Sequence, residues 1–126
     1  MPGIAPDELD IHFTTTKDVG EEDVRLAREA VAWALAHVAR PVLYAKATLS
    51  VLKDPAVPYP NLVSLRVDLN GVPINAHAAA ASMPQAIAQS GRRLRARVEH
   101  MATYWEAQRK KARTTKRGTT SRRDVR

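Results

Sequence analysis

The chain has 126 residues, 44% of them apolar and 26% charged, with no cysteine and a net charge of +7. That length fits one domain, and the apolar share is enough for a packed core, which argues against global disorder. The lack of cysteine excludes disulfides, thiolate catalysis and cysteine-based zinc sites, in keeping with a reducing cytoplasm.

Residues 1–9 read as an N-terminal extension. The first twenty residues carry Asp7, Glu8, Asp10 and Asp18 and lack the basic start and apolar run of a secretory leader. No stretch is long and apolar enough to span a bilayer, so a soluble protein is expected. Asp10–Thr16 alternates Ile11 and Phe13 against His12 and Thr14 and predicts a first strand. Asp18 then offers an N-cap ahead of Glu21, Glu22 and Asp23, an acidic first turn that suits the positive end of a helix dipole. Val24, Ala27, Val31, Ala34, Leu35 and Val38 recur at helical spacing, with Arg25 and Arg28 on the remaining polar face, and Pro41 marks the expected end.

Ala45–Lys53 alternates again, with Lys46, Thr48 and Ser50 on its polar side. Asp54–Pro60 holds three prolines and reads as a loop. Val63, Leu65, Val67 and Leu69 then alternate with polar residues up to Asn70-Gly71, beyond which Val72, Ile74 and Ala76 resume the pattern. That dipeptide tolerates the positive φ of a two-residue hairpin turn. Strands with one polar face call for a sheet covered by helices on the other face only, which places Lys46 and His77 on the open side.

Ser82 is the expected N-cap of a second helix, with Pro84 in its first turn and Gln85 completing a capping box. Met83, Ile87, Leu94, Val98, Met101 and Trp105 form one narrow apolar stripe, a seam against the sheet, and Gly91 beside it would allow a close approach. Beyond about Arg113 the pattern dissolves, so residues 114–126 are expected to form a basic flexible tail or linker. The fold class is therefore α+β: a two-layer β-α-β-β-β-α domain over residues 10–113, with a four-stranded, mainly antiparallel sheet and two helices on one face.

Charge is divided sharply along this layout. Residues 1–91 hold seven Lys/Arg against ten Asp/Glu, a net −3, whereas residues 92–126 hold thirteen against three, a net +10. Arg92, Arg93, Arg95 and Arg97 fall within six residues of the second helix, followed by Lys110, Lys111 and Arg113. Guanidinium forks suit phosphate oxygens because two donors engage one anion together. A polyanion partner is expected, the alternative being arginines that merely solvate an exposed helix.

Signals for catalysis are poor. His12, His37, His77 and His100 are scattered over different elements without metal-ligand spacing, and no phosphate-cradling loop, nucleophile elbow or carboxylate pair appears. A non-enzymatic protein with no metal, cofactor or small-molecule substrate is expected.

The element order, the segment from Val67 through Asn70-Gly71 to Ala76, and the stretch from Ser82 to Ile87 resemble the ribosome hibernation factor family, which includes the ribosome-associated inhibitor of translation. Arg93-Leu94 and Val98 continue the likeness, which covers roughly residues 10–112, and the Ala- and Arg-rich composition is similar to actinobacterial members. Ser82 and Pro84 depart from the family's acidic and aromatic residues, Ala88 stands where an Asp is common, and Ala96 where an Arg is common. The resemblance implies a cytoplasmic, ribosome-associated factor. It would bind 16S RNA of the small subunit in the decoding region, block the transfer- and messenger-RNA sites and silence translation under stress. Arg25, Arg28, Arg92, Arg93, Arg95, Arg97, Lys110, Lys111 and Arg113 are the expected RNA-binding residues. Long members of the family add a C-terminal domain that pairs ribosomes, so this chain is either a short type or the N-terminal part of a longer one. Two other readings stay open: a general RNA- or DNA-binding module of similar fold, and a protein-interaction domain of a stress regulator.

Overall fold

A computed structural model describes residues 10–38 and 41–124, with the side chains of the last helix described only as far as Gln108. Six elements follow in the expected order: β1 (His12–Thr15), α1 (Glu21–Ala34), β2 (Val42–Val51), β3 (Asn61–Leu69), β4 (Val72–Ala80) and α2 (Met83–Asp124). The strands form one sheet in the order β1-β2-β3-β4. β1 runs parallel to β2, and β2, β3 and β4 pair antiparallel, so the sheet is mixed and mainly antiparallel.

One face of the sheet is buried and the other open, as the period-two pattern demands. Ala45, Ala47 and Leu49 of β2, Val63, Leu65, Val67 and Leu69 of β3, and Ile74, Ala76 and Ala80 of β4 join Val31 and Leu35 of α1 and Ile87, Leu94 and Val98 of α2 in one core. Gly91 lets the two helices meet: a Cβ there would stand 3.1 Å from the Ala30 Cβ. Among the described residues the core holds one polar side chain, the fully buried Ser90, whose hydroxyl donates back to the Ile87 carbonyl at 3.0 Å.

The β3–β4 hairpin turns on two residues of positive φ, Asn70 at 55° and Gly71 at 91°, the conformation that type I′ turns require. Asp68 Oδ1 accepts the Gly71 N–H at 2.7 Å and ties the turn to β3. Ser82 caps α2 as expected, its hydroxyl accepting the Gln85 N–H at 3.4 Å.

Several boundaries differ from the sequence reading: β2 spans Val42–Val51 where Ala45–Lys53 was expected. The N-cap of α1 is Gly20, in extended backbone, and Asp18 instead pairs with Lys53 at 3.1 Å, linking the segment after β1 to the end of β2. α1 also stops well before Pro41. The N–H groups of Ala36 and Val38 turn to the carbonyls of Trp33 and Leu35, each at 3.2 Å, so the last turn tightens and closes without the proline. At the other end, the backbone of α2 runs to Asp124, past the point where the apolar stripe ends. No proline interrupts residues 114–124, while Gly118 and four threonines make the intrinsic helix propensity of this stretch low. Residues 1–9 lie outside the described part.

Candidate nucleic-acid interface

α2 is fixed from within. Met83, Ala86, Ile87, Ser90, Leu94 and Val98 are buried along one side, so the residues between them are forced outward at one-turn intervals. Arg92, Arg93 and Arg97 are exposed, while Arg95 is half-buried.

They do not share one face. Arg92 and Arg95 lie on the flank toward α1, where Arg92 borders a shallow groove with Leu26, Glu29 and Trp33. The Arg95 guanidinium sits over the Trp33 ring, 4.3 Å from its centroid, and its Nε donates to Glu99 Oε2 at 3.0 Å. Together with His37, Val38, Val98 and Trp105 they line a cavity of about 160 Å³ at the far end of the helix pair. Arg93 points the other way. Its Nη1 donates to the main-chain carbonyl of His77 at 2.7 Å, on the free edge of β4. Arg97, one turn on, has no hydrogen-bonding or ionic partner among the described residues and is available to an external anion.

The α1 arginines are differently placed. Arg25 is clasped by two carboxylates of its own helix, Glu22 and Glu29, the latter at 2.6 Å. Its hydrogen bond and charge hold the Glu22 carboxyl below the usual carboxylate range, and the guanidinium is correspondingly harder to deprotonate. Arg28 is half-buried with its guanidinium 5.1 Å from the centroid of the Phe13 ring. Lys110, Lys111 and Arg113 fall on the backbone of α2, with side chains outside the described residues.

The ring contacts were invisible in the linear pattern, because each joins positions far apart in the chain: Phe13 with Arg28, and Trp33 with Arg95. Spacing did signal the ion pairs of Arg95, whose Glu99 lies four residues on, and of Arg25, which has Glu22 three residues before it and Glu29 four after. Among the described residues no three His, Asp or Glu side chains are placed to hold a metal ion, and no helix is long and apolar enough to cross a membrane.

No protein-family model matches the sequence. No curated protein matches it either. Solved structures do. A ribosomal subunit interface protein from Coxiella burnetii superposes with a TM-score of 0.60 at 16% identity, over 75% of this chain and 99% of that one. The N-terminal domain of Thermus thermophilus Protein Y superposes with a TM-score of 0.61 at 17% identity, over 74% of this chain and 99% of that one. The chain has the Protein Y N-terminal fold. The family resemblance read from the hairpin and the second helix thus has its counterpart in three dimensions. Within that Protein Y fold, the arginine cluster occupies the outer surface of the second helix, and the seam beneath it is the buried stripe of α2.

Proposed function

We propose that the protein is a ribosome-binding, non-catalytic factor that holds rRNA through the arginines of α2 and silences translation. The observation that carries this reading is Arg97, exposed and without a carboxylate partner among the described residues, beside Arg93 on a helix locked to the sheet, in a fold shared with a ribosomal subunit interface protein. A rigid helix presents its guanidinium groups to phosphates with little ordering cost, and such contacts position a protein without reading sequence. In the finer reading the partner is 16S RNA of the small-subunit decoding region, where the protein overlaps the transfer- and messenger-RNA sites under stress. Arg92, Arg93 and Arg97 would make the principal contacts. Arg95, Lys110, Lys111 and Arg113 would extend them along the helix, with Arg28 contributing from α1 and Arg25 adding little at neutral pH, since Glu22 and Glu29 already serve as its counterions. The protein would be cytoplasmic and ribosome-associated, needing no cofactor, and a C-terminal pairing domain would belong to a longer form.

Sedimentation with purified ribosomal particles tests it. The protein should travel with 30S and 70S particles at low salt and leave them as salt rises, because phosphate contacts release counterions. Arg93→Glu/Arg97→Glu should remain at the top of the gradient. If the unaltered protein also stays there, the reading fails; if unrelated duplex RNA in modest excess strips it from ribosomes, a general nucleic-acid module replaces it.

A further inference from the structure

The uncovered face of the sheet has a chemistry that the helix-side reading does not use. Strand register places His12 beside Lys46, Lys46 opposite Arg66, and Arg66 opposite Asn75, so one polar row crosses all four strands. All four residues are exposed. The next row, Thr14, Thr48, Ser64 and His77, is uncharged and rich in hydrogen-bonding groups. On the other side of the basic row stands Tyr44, 41% exposed, its ring stacked on His12 with centroids 5.2 Å apart and planes 24° apart.

Two features of this face work against the isolated fold. Like charges directly opposite each other on a sheet are destabilising, yet Lys46 faces Arg66 with no carboxylate paired to either among the described residues. The nearest acidic residue in the register, Asp68, gives one oxygen to the Gly71 N–H and forms no ion pair with Lys46 or Arg66 among the described residues. A large aromatic ring is also left in water beside them. Both are resolved by one kind of occupant: an anionic chain that lays phosphates on Lys46 and Arg66 and a flat base against the His12–Tyr44 pair. Neighbouring strands are about 4.8 Å apart, so the row is about 14 Å wide. Sheets of four strands seat two or three unstacked bases on such a width. The hydroxyl, amide and imidazole groups of Thr48, Ser64, Asn75 and His77 add the donors and acceptors that a ribose 2′-hydroxyl can use. At the β4 edge the platform runs into Arg93, which lines the same depression as Thr48, Ser64 and His77.

We propose that this open face is a second nucleic-acid surface, one that takes a short single-stranded RNA segment across the strands. It lies on the opposite side of the sheet from the outer surface of α2, and the two surfaces meet at Arg93.

The test uses fluorescence anisotropy of a short labelled oligouridylate with the full chain. Lys46→Gln/Arg66→Gln should weaken binding by about tenfold or more, as expected for the loss of two phosphate contacts. Tyr44→Ala should weaken it by about tenfold through lost stacking, which a purely electrostatic attachment would not show. Circular dichroism should be unchanged in both, because the glutamines relieve a like-charge pair and Tyr44 lies outside the core. Arg97→Glu should retain oligouridylate binding while losing ribosome sedimentation, so the two surfaces fail separately. An oligodeoxyuridylate arm reads the 2′-hydroxyl: binding several-fold weaker than RNA supports the proposal, and equal binding overturns its choice of RNA. Unaltered affinity in Lys46→Gln/Arg66→Gln overturns the surface altogether. So does displacement of the oligonucleotide by polyglutamate with Tyr44→Ala silent, which would mark a dock for an acidic protein.

Discussion

Arg95 stands over the ring of Trp33, joining the arginine cluster of α2 to the outer side of α1. The contact leaves Trp33 46% exposed and engages both the face of the ring and the Glu99 carboxylate through one guanidinium. A charge held in this way acts partly as a structural clamp between helices. Its neighbour Arg97, without such partners, keeps its donors for an external ligand.

Replacing Arg95 by Ala is therefore expected to cost stability more than RNA affinity. An exposed cation–π contact contributes about 0.5–1 kcal/mol, and the buried stem of the side chain adds to it. The urea midpoint should fall accordingly, with a shift in tryptophan emission as Trp33 loses its cover. Arg95→Lys should recover only part of the loss, since an ammonium cannot stack on the ring and bond Glu99 in the same plane.

Arg25 and Arg97 carry the same formal charge but should differ in salt dependence. Arg97→Gln removes a phosphate contact and should lower the slope of log K against log salt by about 1. Arg25→Gln should leave the slope nearly unchanged, because Glu22 and Glu29 already serve as the counterions of Arg25. The pH dependence has a definite sign. The Glu22 carboxyl is held below its ordinary value by Arg25, so the pairing is intact above the ordinary carboxylate range and is lost as pH falls through the lowered value. Acid should therefore bring the slope of Arg25→Gln and the unaltered protein apart, as the freed Arg25 begins to contribute. Titrating both proteins with labelled rRNA fragments across that range would show it.

Much of this architecture was legible because it is local. Alternation at period two identified all four strands, and Asn70-Gly71 placed the hairpin with its register, since a two-residue loop fixes which side chains face the core. The α2 stripe by itself turns the arginines outward. What escaped was decided by competition between distant residues. Asp18 carries good capping chemistry, but Lys53 claims its carboxylate across the fold, and the backbone of Gly20 begins the helix. Helix spacing alone separates Arg93 and Arg97 from Arg95 on two flanks of the stripe; hidden in the sequence was what each flank meets, Trp33 on one side and the β4 edge on the other. The His12–Lys46–Arg66–Asn75 row was equally hidden: each residue is an ordinary outward position, and only the register of three strand pairs brings them into line.

The hairpin turn offers a stability test. Gly71 has φ of 91° and open space around its Cα, so Gly71→Ala meets no neighbour but must adopt a backbone that L residues disfavour. A loss of about 1 kcal/mol or more in chemical denaturation is expected, with RNA binding unaffected once the variant is folded. Asn70→Gly should be close to neutral, because glycine accepts the positive φ of 55° and the Gly71 N–H keeps its bond to Asp68.

Gly91 should respond differently, since there the restriction is space and not backbone. Alanine at this position gains helix propensity worth about 1 kcal/mol, while its Cβ would stand 3.1 Å from the Ala30 Cβ. That contact is tighter than ordinary packing, and a few tenths of an ångström of movement between α1 and α2 would relieve it. The two effects oppose, so Gly91→Ala should lie within about 1 kcal/mol of the unaltered protein. Valine brings further atoms into the same gap, where no such small movement suffices, and loses the propensity gain. Gly91→Val is expected to destabilise by about 1–3 kcal/mol, and pairing it with Ala30→Gly should restore part of that loss. Additive costs in the double variant would show that the two helices do not meet at this point. Recovery would establish the Gly91–Ala30 crossing as the place where α2, and with it the arginine cluster, is set against α1.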